Sequence, residues 1–82
     1  MEKHIGTVTH FYTRLSVAVL NLTDEIRQGD EIRIKGHLTD LVMSVASLEV
    51  DHRKIESAGI GLDVALKVDG YVRAGDEIYK VI

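Results

Sequence analysis

Ile26-Arg27-Gln28-Gly29-Asp30-Glu31-Ile32 returns later in the chain as Val72-Arg73-Ala74-Gly75-Asp76-Glu77-Ile78. Both copies read apolar-Arg-x-Gly-Asp-Glu-Ile, and each runs into a strand-like segment, Arg33-Ile34-Lys35 and Tyr79-Lys80-Val81-Ile82. The pattern is that of a turn feeding a strand. The leading apolar residue plugs a core, and glycine takes the positive φ that reverses the chain. Asp then opens a strand whose alternate residues face inward. A looser echo, Gly61-Leu62-Asp63-Val64, precedes Ala65-Leu66-Lys67-Val68. The chain contains no proline, so glycine and aspartate must make its turns.

Working outward from these turns, the remaining segments also read as strands. Residues 4–12 are rich in β-branched and aromatic types and predict a first strand. Residues 16–22, Ser-Val-Ala-Val-Leu-Asn-Leu, are apolar enough to be buried on much of both faces. A helix is the rival reading there, but the run is short, valine-rich and followed at once by the polar turn Thr23-Asp24-Glu25. The first repeat launches a third strand over 30–35, closed by Gly36 and a polar loop at 37–40. Residues 41–50 predict one long, bent strand, with a helix as the alternative. A charged edge (51–56) and a loop (57–61) lead to an alternating strand at 62–68, and Asp69-Gly70 is a tight-turn dipeptide. The second repeat supplies the last strand, 77–82. Six or seven strands at this spacing, with sheet edges in need of cover, predict an all-β closed barrel.

Length and composition bound the function. Eighty-two residues make a single domain, 1–82, which buries only about 60% of its unfolded surface. At 45% hydrophobic and 28% charged it is an ordered chain, not a disordered tail. The absence of cysteine excludes disulfides and thiolate chemistry and suits the cytoplasm. No charged-then-apolar leader opens the sequence, and no apolar run approaches the ~20 residues of a membrane span. A net charge of -3 argues against sequence-blind binding to nucleic acid, which needs a basic face.

The order of these motifs resembles the second domain of the translation GTPases, such as elongation factor Tu and bacterial initiation factor. The matching order is the first repeat, Ile32-Arg33-Ile34-Lys35-Gly36, Val45-Ala46-Ser47-Leu48-Glu49, Ile55 to Gly61, Val64 to Val68, and the second repeat. The similarity covers roughly residues 5–82. It implies a closed six-stranded Greek-key barrel of the translation-protein type. A nearer likeness is to the stand-alone barrels of this type and those appended to collagenase-like peptidases. Gly6-Thr7-Val8-Thr9-His10-Phe11-Tyr12 and Lys35-Gly36-His37-Leu38-Thr39-Asp40 carry it.

No catalytic chemistry is expected. The phosphate-cradling Gly-x-x-x-x-Gly-Lys-Ser/Thr loop is absent, so the chain is expected neither to bind nor to split GTP. The four histidines, His4, His10, His37 and His52, are not paired at metal-ligand spacing, and no metal or cofactor is expected. Read as a strand, 49–52 puts Glu49 and Asp51 on one face and His52 on the other, which breaks up an acid-base set. No serine sits in a Gly-x-Ser-x-Gly setting. Met43 and the valines at 17, 19, 42, 45 and 50 read as core.

One cluster has binding character. Phe11 and Tyr12 offer stacking faces and Arg14 a phosphate partner, although Phe11 also suits the core and Tyr12 a rim. In RNA-binding members of the family a glutamate, an arginine three residues on and an asparagine near the next strand receive the RNA end. The resemblance carries these roles to Glu49, His52 and Asp63, and the charge of Asp63 predicts a pocket weak for RNA. The expected ligand surface is therefore Phe11, Tyr12, Arg14, Glu49 and His52. Its expected use is a non-catalytic binding module for a protein or ribonucleoprotein partner. The alternatives are an RNA-end binder and an accessory barrel of a peptidase or RNA-modifying enzyme.

Overall fold

The computed structural model describes all residues, 1–82. It contains ten strands and no helix: β1 (Glu2–Tyr12), β2 (Val17–Leu22), β3 (Ile26–Arg27), β4 (Glu31–Lys35), β5 (Asp40–Ser44), β6 (Leu48–Val50), β7 (Arg53–Ile55), β8 (Ser57–Ala58), β9 (Asp63–Lys67) and β10 (Glu77–Val81). Eight of them form one antiparallel sheet in the order β5-β4-β10-β1-β2-β9-β6-β7. The remaining two, β3 and β8, pair with each other as a separate ribbon.

Both repeats build the same turn. In each, the Asp backbone N–H donates to the Arg carbonyl at 3.1 Å. The Asp carboxylate accepts the Arg backbone N–H, at 2.9 Å in the first repeat and 2.8 Å in the second. Glycine occupies the position that needs the left-handed region, with φ of 94° at Gly29 and 96° at Gly75. Each turn then grips one valine of a neighbouring segment. Gly29 N–H donates to the Val45 carbonyl and Val45 N–H to the Asp30 carbonyl, both at 2.8 Å. Gly75 and Asp76 treat Val8 in the same way, at 2.7 and 2.8 Å.

The likeness extends beyond the turns. The strands that follow the turns, β4 and β10, pair antiparallel, with Arg33 opposite Tyr79 at the centre. These two residues are equivalent in the repeats, so a local two-fold axis passes between them. Outside that pair, β5 lies on β4 as β1 lies on β10.

Inward-facing residues from every part of the sheet meet in one cluster of seventeen buried apolar residues. Ile26 and Val72, which open the repeats, belong to it, as do Ile32 and Ile78 just after the turns. A single face can bury so many residues only by curling over itself. The buried carboxylate of Asp76 is tucked against Gly36, where a side-chain Cβ would collide with it. That contact ties the second turn to the end of β4.

The closed six-stranded barrel is not formed, and the sheet is open. The expected long strand over 41–50 breaks at Val45-Ala46-Ser47 into β5 and β6, which lie near opposite ends of the sheet. Val45 is held by the first turn and so leaves the ladder. No strand-to-strand ladder joins β5 to β7. The β3–β8 ribbon stands between, linked by single bonds such as Gln28 N–H to the Glu56 carbonyl and Gln28 Nε2 to the Ala46 carbonyl, both 2.8 Å. The supposed charged edge at 51–56 is a hairpin. Val50 pairs with Arg53 across a two-residue turn in which Asp51 and His52 have φ of 50° and 63°. No helix of the structure is long and apolar enough to cross a membrane.

Two measurements test this account. Gly29→Ala and Gly75→Ala each have open space for a methyl group, so their cost is backbone strain, about 1 kcal/mol or more in urea denaturation. Asp76→Ala leaves a buried N–H without an acceptor and should cost about 1–3 kcal/mol. Asp30→Ala should cost less, because water can reach its site, where the side chain is 21% exposed.

The second is acid sensitivity. Hydrogen bonds from His4 (2.6 Å) and Thr7 (2.9 Å) hold the Glu77 carboxyl below its ordinary value of 4.5. A depressed folded-state value adds stability above pH 4.5 that disappears as pH falls through the folded-state value. Glu77→Gln should therefore be less stable than the native chain near neutrality, with the gap closing as the pH falls below 4.5.

Candidate functional site

The outer face of the sheet, across β1, β2, β9 and β6, carries the most developed surface groove. Period-2 alternation sends Ala18, Leu20 and Leu22 of β2 into the core and Val17 and Val19 outward. Val19 pairs with Ala65 of β9, and Ala65 pairs in turn with Glu49 of β6. Val17 pairs with Tyr12 of β1. A floor of half-buried Val17, Val19 and Ala65 results, extended by Leu15, which is 63% exposed in the β1–β2 loop. The groove has a volume of about 520 Å³.

Its walls are polar. Glu49, Asp51, His52 and Asp63 line one side, and Tyr12 lines the other. The hairpin turn at Asp51-His52 is what brings both of those side chains to the groove. The strand-based expectation that Glu49 and His52 point apart is thus corrected, because residues 51 and 52 are not in a strand. Asp63, at the start of β9, accepts a long hydrogen bond of 3.4 Å from Asn21 Nδ2. Tyr12 packs against His10, with ring centroids 4.4 Å apart.

The charge is one-sided. None of the nine groove-lining residues is Lys or Arg. None of Glu49, Asp51 and Asp63 belongs to the six ion pairs of the structure. Lys54 is in register with Glu49 on β7 but makes no ion pair with it. Lys67 lies where the floor continues toward Ser47. Elsewhere acids are matched: Asp40 grips Arg33 through two bonds of 2.7 Å, which lowers the Asp40 carboxyl and raises the guanidinium.

Of the five sequence-predicted ligand residues, the groove unites Tyr12, Glu49 and His52. It also takes in Asp63. Phe11 turns away, packing on the core and meeting the Tyr71 ring edge-on at 5.1 Å. Arg14 sits in the β1–β2 loop beside a shallower hollow formed by residues 11–15. Val17 and Val19, read as core, are floor instead, and Val42 is 53% exposed. The alternation of Val17, Val19 and Asn21 against Ala18, Leu20 and Leu22 was the signal for that face. A separate hollow at the first repeat is lined by Arg27, Gln28, Gly29, Glu56 and Ser57 and has no apolar floor.

Comparison with known proteins agrees with the peptidase side of the sequence resemblance. The chain is 38% identical over 76 residues to an uncharacterized protease of Methanocaldococcus jannaschii. That match takes in 92% of this chain but only 19% of the protease. The fold is that of the C-terminal domain of a Geobacillus thermoleovorans putative U32 peptidase. Its crystal structure superposes with a TM-score of 0.87 at 16% identity, covering 98% of this chain and 93% of that one. The selenomethionine variant of the same domain gives 0.84 at 15% identity, covering 93% and 96%. No protein-family model matches the chain. These matches carry no likeness to the translation-factor domain.

The acidic wall sets the expected response to RNA. A short CCA-ended oligonucleotide followed by backbone amide shifts should bind no more tightly than millimolar, or about 4 kcal/mol. Saturation at low micromolar RNA would contradict this electrostatic reading.

Proposed function

We propose that the chain is a non-catalytic accessory domain serving a peptidase of the U32 kind, a binding module that docks onto a protein partner in the cytoplasm. The observation that carries the reading is the 38% identity to the archaeal protease across nearly the whole of this chain. The fold match to a domain at the C-terminus of a peptidase agrees with it. A segment that corresponds to 19% of a protease is the right size for an appended domain, not for the whole enzyme. The alternative RNA-end reading gains nothing from the groove, whose carboxylates repel phosphate.

The test is association. The purified chain is mixed with the remaining part of a U32-type peptidase from the same cell and followed by analytical ultracentrifugation and by peptide hydrolysis. A one-to-one complex with altered hydrolysis is expected, and no hydrolysis by the chain alone. Failure to associate would remove the accessory reading. Hydrolysis by the isolated chain would remove the non-catalytic one.

A further inference from the structure

We infer that the groove between Tyr12 and the Glu49–Asp51–Asp63 wall receives a basic, otherwise apolar segment of a partner protein, with an arginine or lysine side chain set against the carboxylates. This deepens the accessory-domain reading by naming the chemistry of the partner, and it rests on that reading for the partner's identity.

Three observations carry it. The first is the floor. Val17, Val19 and Ala65 form a continuous apolar stripe across two paired strands, and Leu15 at its end is 63% exposed. Water at such a stripe is displaced favourably by aliphatic groups. The second is charge. Glu49, Asp51 and Asp63 are three carboxylates without a cationic partner in a structure where Glu2, Glu25, Asp24, Asp30, Asp40 and Glu77 each have one. An incoming guanidinium would supply the missing counter-charge through charge-assisted hydrogen bonds, its stem lying on the stripe. The third is the aromatic wall. Tyr12, 48% exposed, presents a ring on which a cation or an aliphatic stem can rest.

Other occupants fit less well. Phosphate, from RNA or an anionic membrane, meets three negative charges. A bare metal ion finds no convergent ligand set, because no three acidic or histidine side chains gather at ligand geometry. A small polyamine satisfies the charge but leaves the apolar floor uncovered. A basic segment with leucine-like neighbours meets both demands. Lys54 and Lys67 flank the groove and favour an occupant whose positive charge is confined to the Asp51–Asp63 side.

The experiment titrates the full chain with a blocked hexapeptide alternating leucine and arginine, following backbone amide shifts. The comparison peptide replaces each arginine by glutamate. Shifts are expected at Val17, Val19, Glu49, Asp63 and Ala65, with the glutamate peptide silent. The triple variant Glu49→Gln, Asp51→Asn, Asp63→Asn keeps the side-chain shapes and should bind the arginine peptide at least about tenfold more weakly, the scale of losing charge-assisted contacts. The native chain in 1 M salt, where the screening length falls to about 3 Å, should lose affinity in the same direction without any change to the fold. Shifts on the opposite face, equal binding of the two peptides, or salt-independent affinity would overturn the inference. The outcomes separate the two readings. A peptidase complex that survives the triple substitution unchanged removes the groove and leaves the accessory role. Peptide binding in the groove with no peptidase complex does the reverse.

Discussion

A carboxylate that turns back to its own chain organises this fold. Asp30 and Asp76 each accept the backbone N–H three residues earlier, closing a turn around a glycine with positive φ. Once the turn is closed, its glycine N–H and aspartate carbonyl face outward together and take hold of a single valine elsewhere in the chain. Everything that gives the sheet its order follows from where those valines lie. Val8 is brought to the second turn and Val45 to the first, so β1 falls beside β10 and β5 beside β4. A polar interaction of modest net worth thus decides which strands are neighbours, and the seventeen-residue core supplies the driving force.

The same device explains why the sheet stays open. The grip on Val45 lifts residues 45–47 out of the ladder and splits an otherwise continuous apolar run. β6 then departs for the far end of the sheet, and the short ribbon of Ile26-Arg27 with Ser57-Ala58 fills the space between the ends. The outer face of β2, β9 and β6 is left uncovered, and its apolar stripe and unpaired acids form the groove.

Strand positions were legible in the sequence because apolar alternation and Gly-Asp turns are local signals. The ranges at 30–35 and 62–68 differ from β4 and β9 by a residue at an end. Closure was not legible, because it depends on which distant residue a turn grips, and neither Val8 nor Val45 differs from any other valine. The 41–50 segment failed for that reason. The candidate site divided along similar lines. Tyr12 and Glu49 lie on strands and kept their outward aim. His52 depended on a hairpin made by Asp51 and His52, neither of which is the glycine or asparagine that advertises such a turn. Phe11 was ambiguous from the start, and the pairing with Tyr71 decided it for the core side. Asp51 entered the groove only through its turn.

The pairing of Arg33 with Tyr79 about a local axis has a meaning for the origin of the chain. Two like segments related by a two-fold axis, each pairing with the other in the same way, have the geometry of an isologous homodimer. Here both halves belong to one polypeptide. Fusing such halves removes the concentration dependence of assembly and frees each copy to drift apart from its twin. The second copy has used that freedom to bury Asp76 against Gly36, and the first has kept Asp30 within reach of Lys80 at 3.3 Å. An ancestral peptide of half this length would have needed only one turn, one strand and a copy of itself.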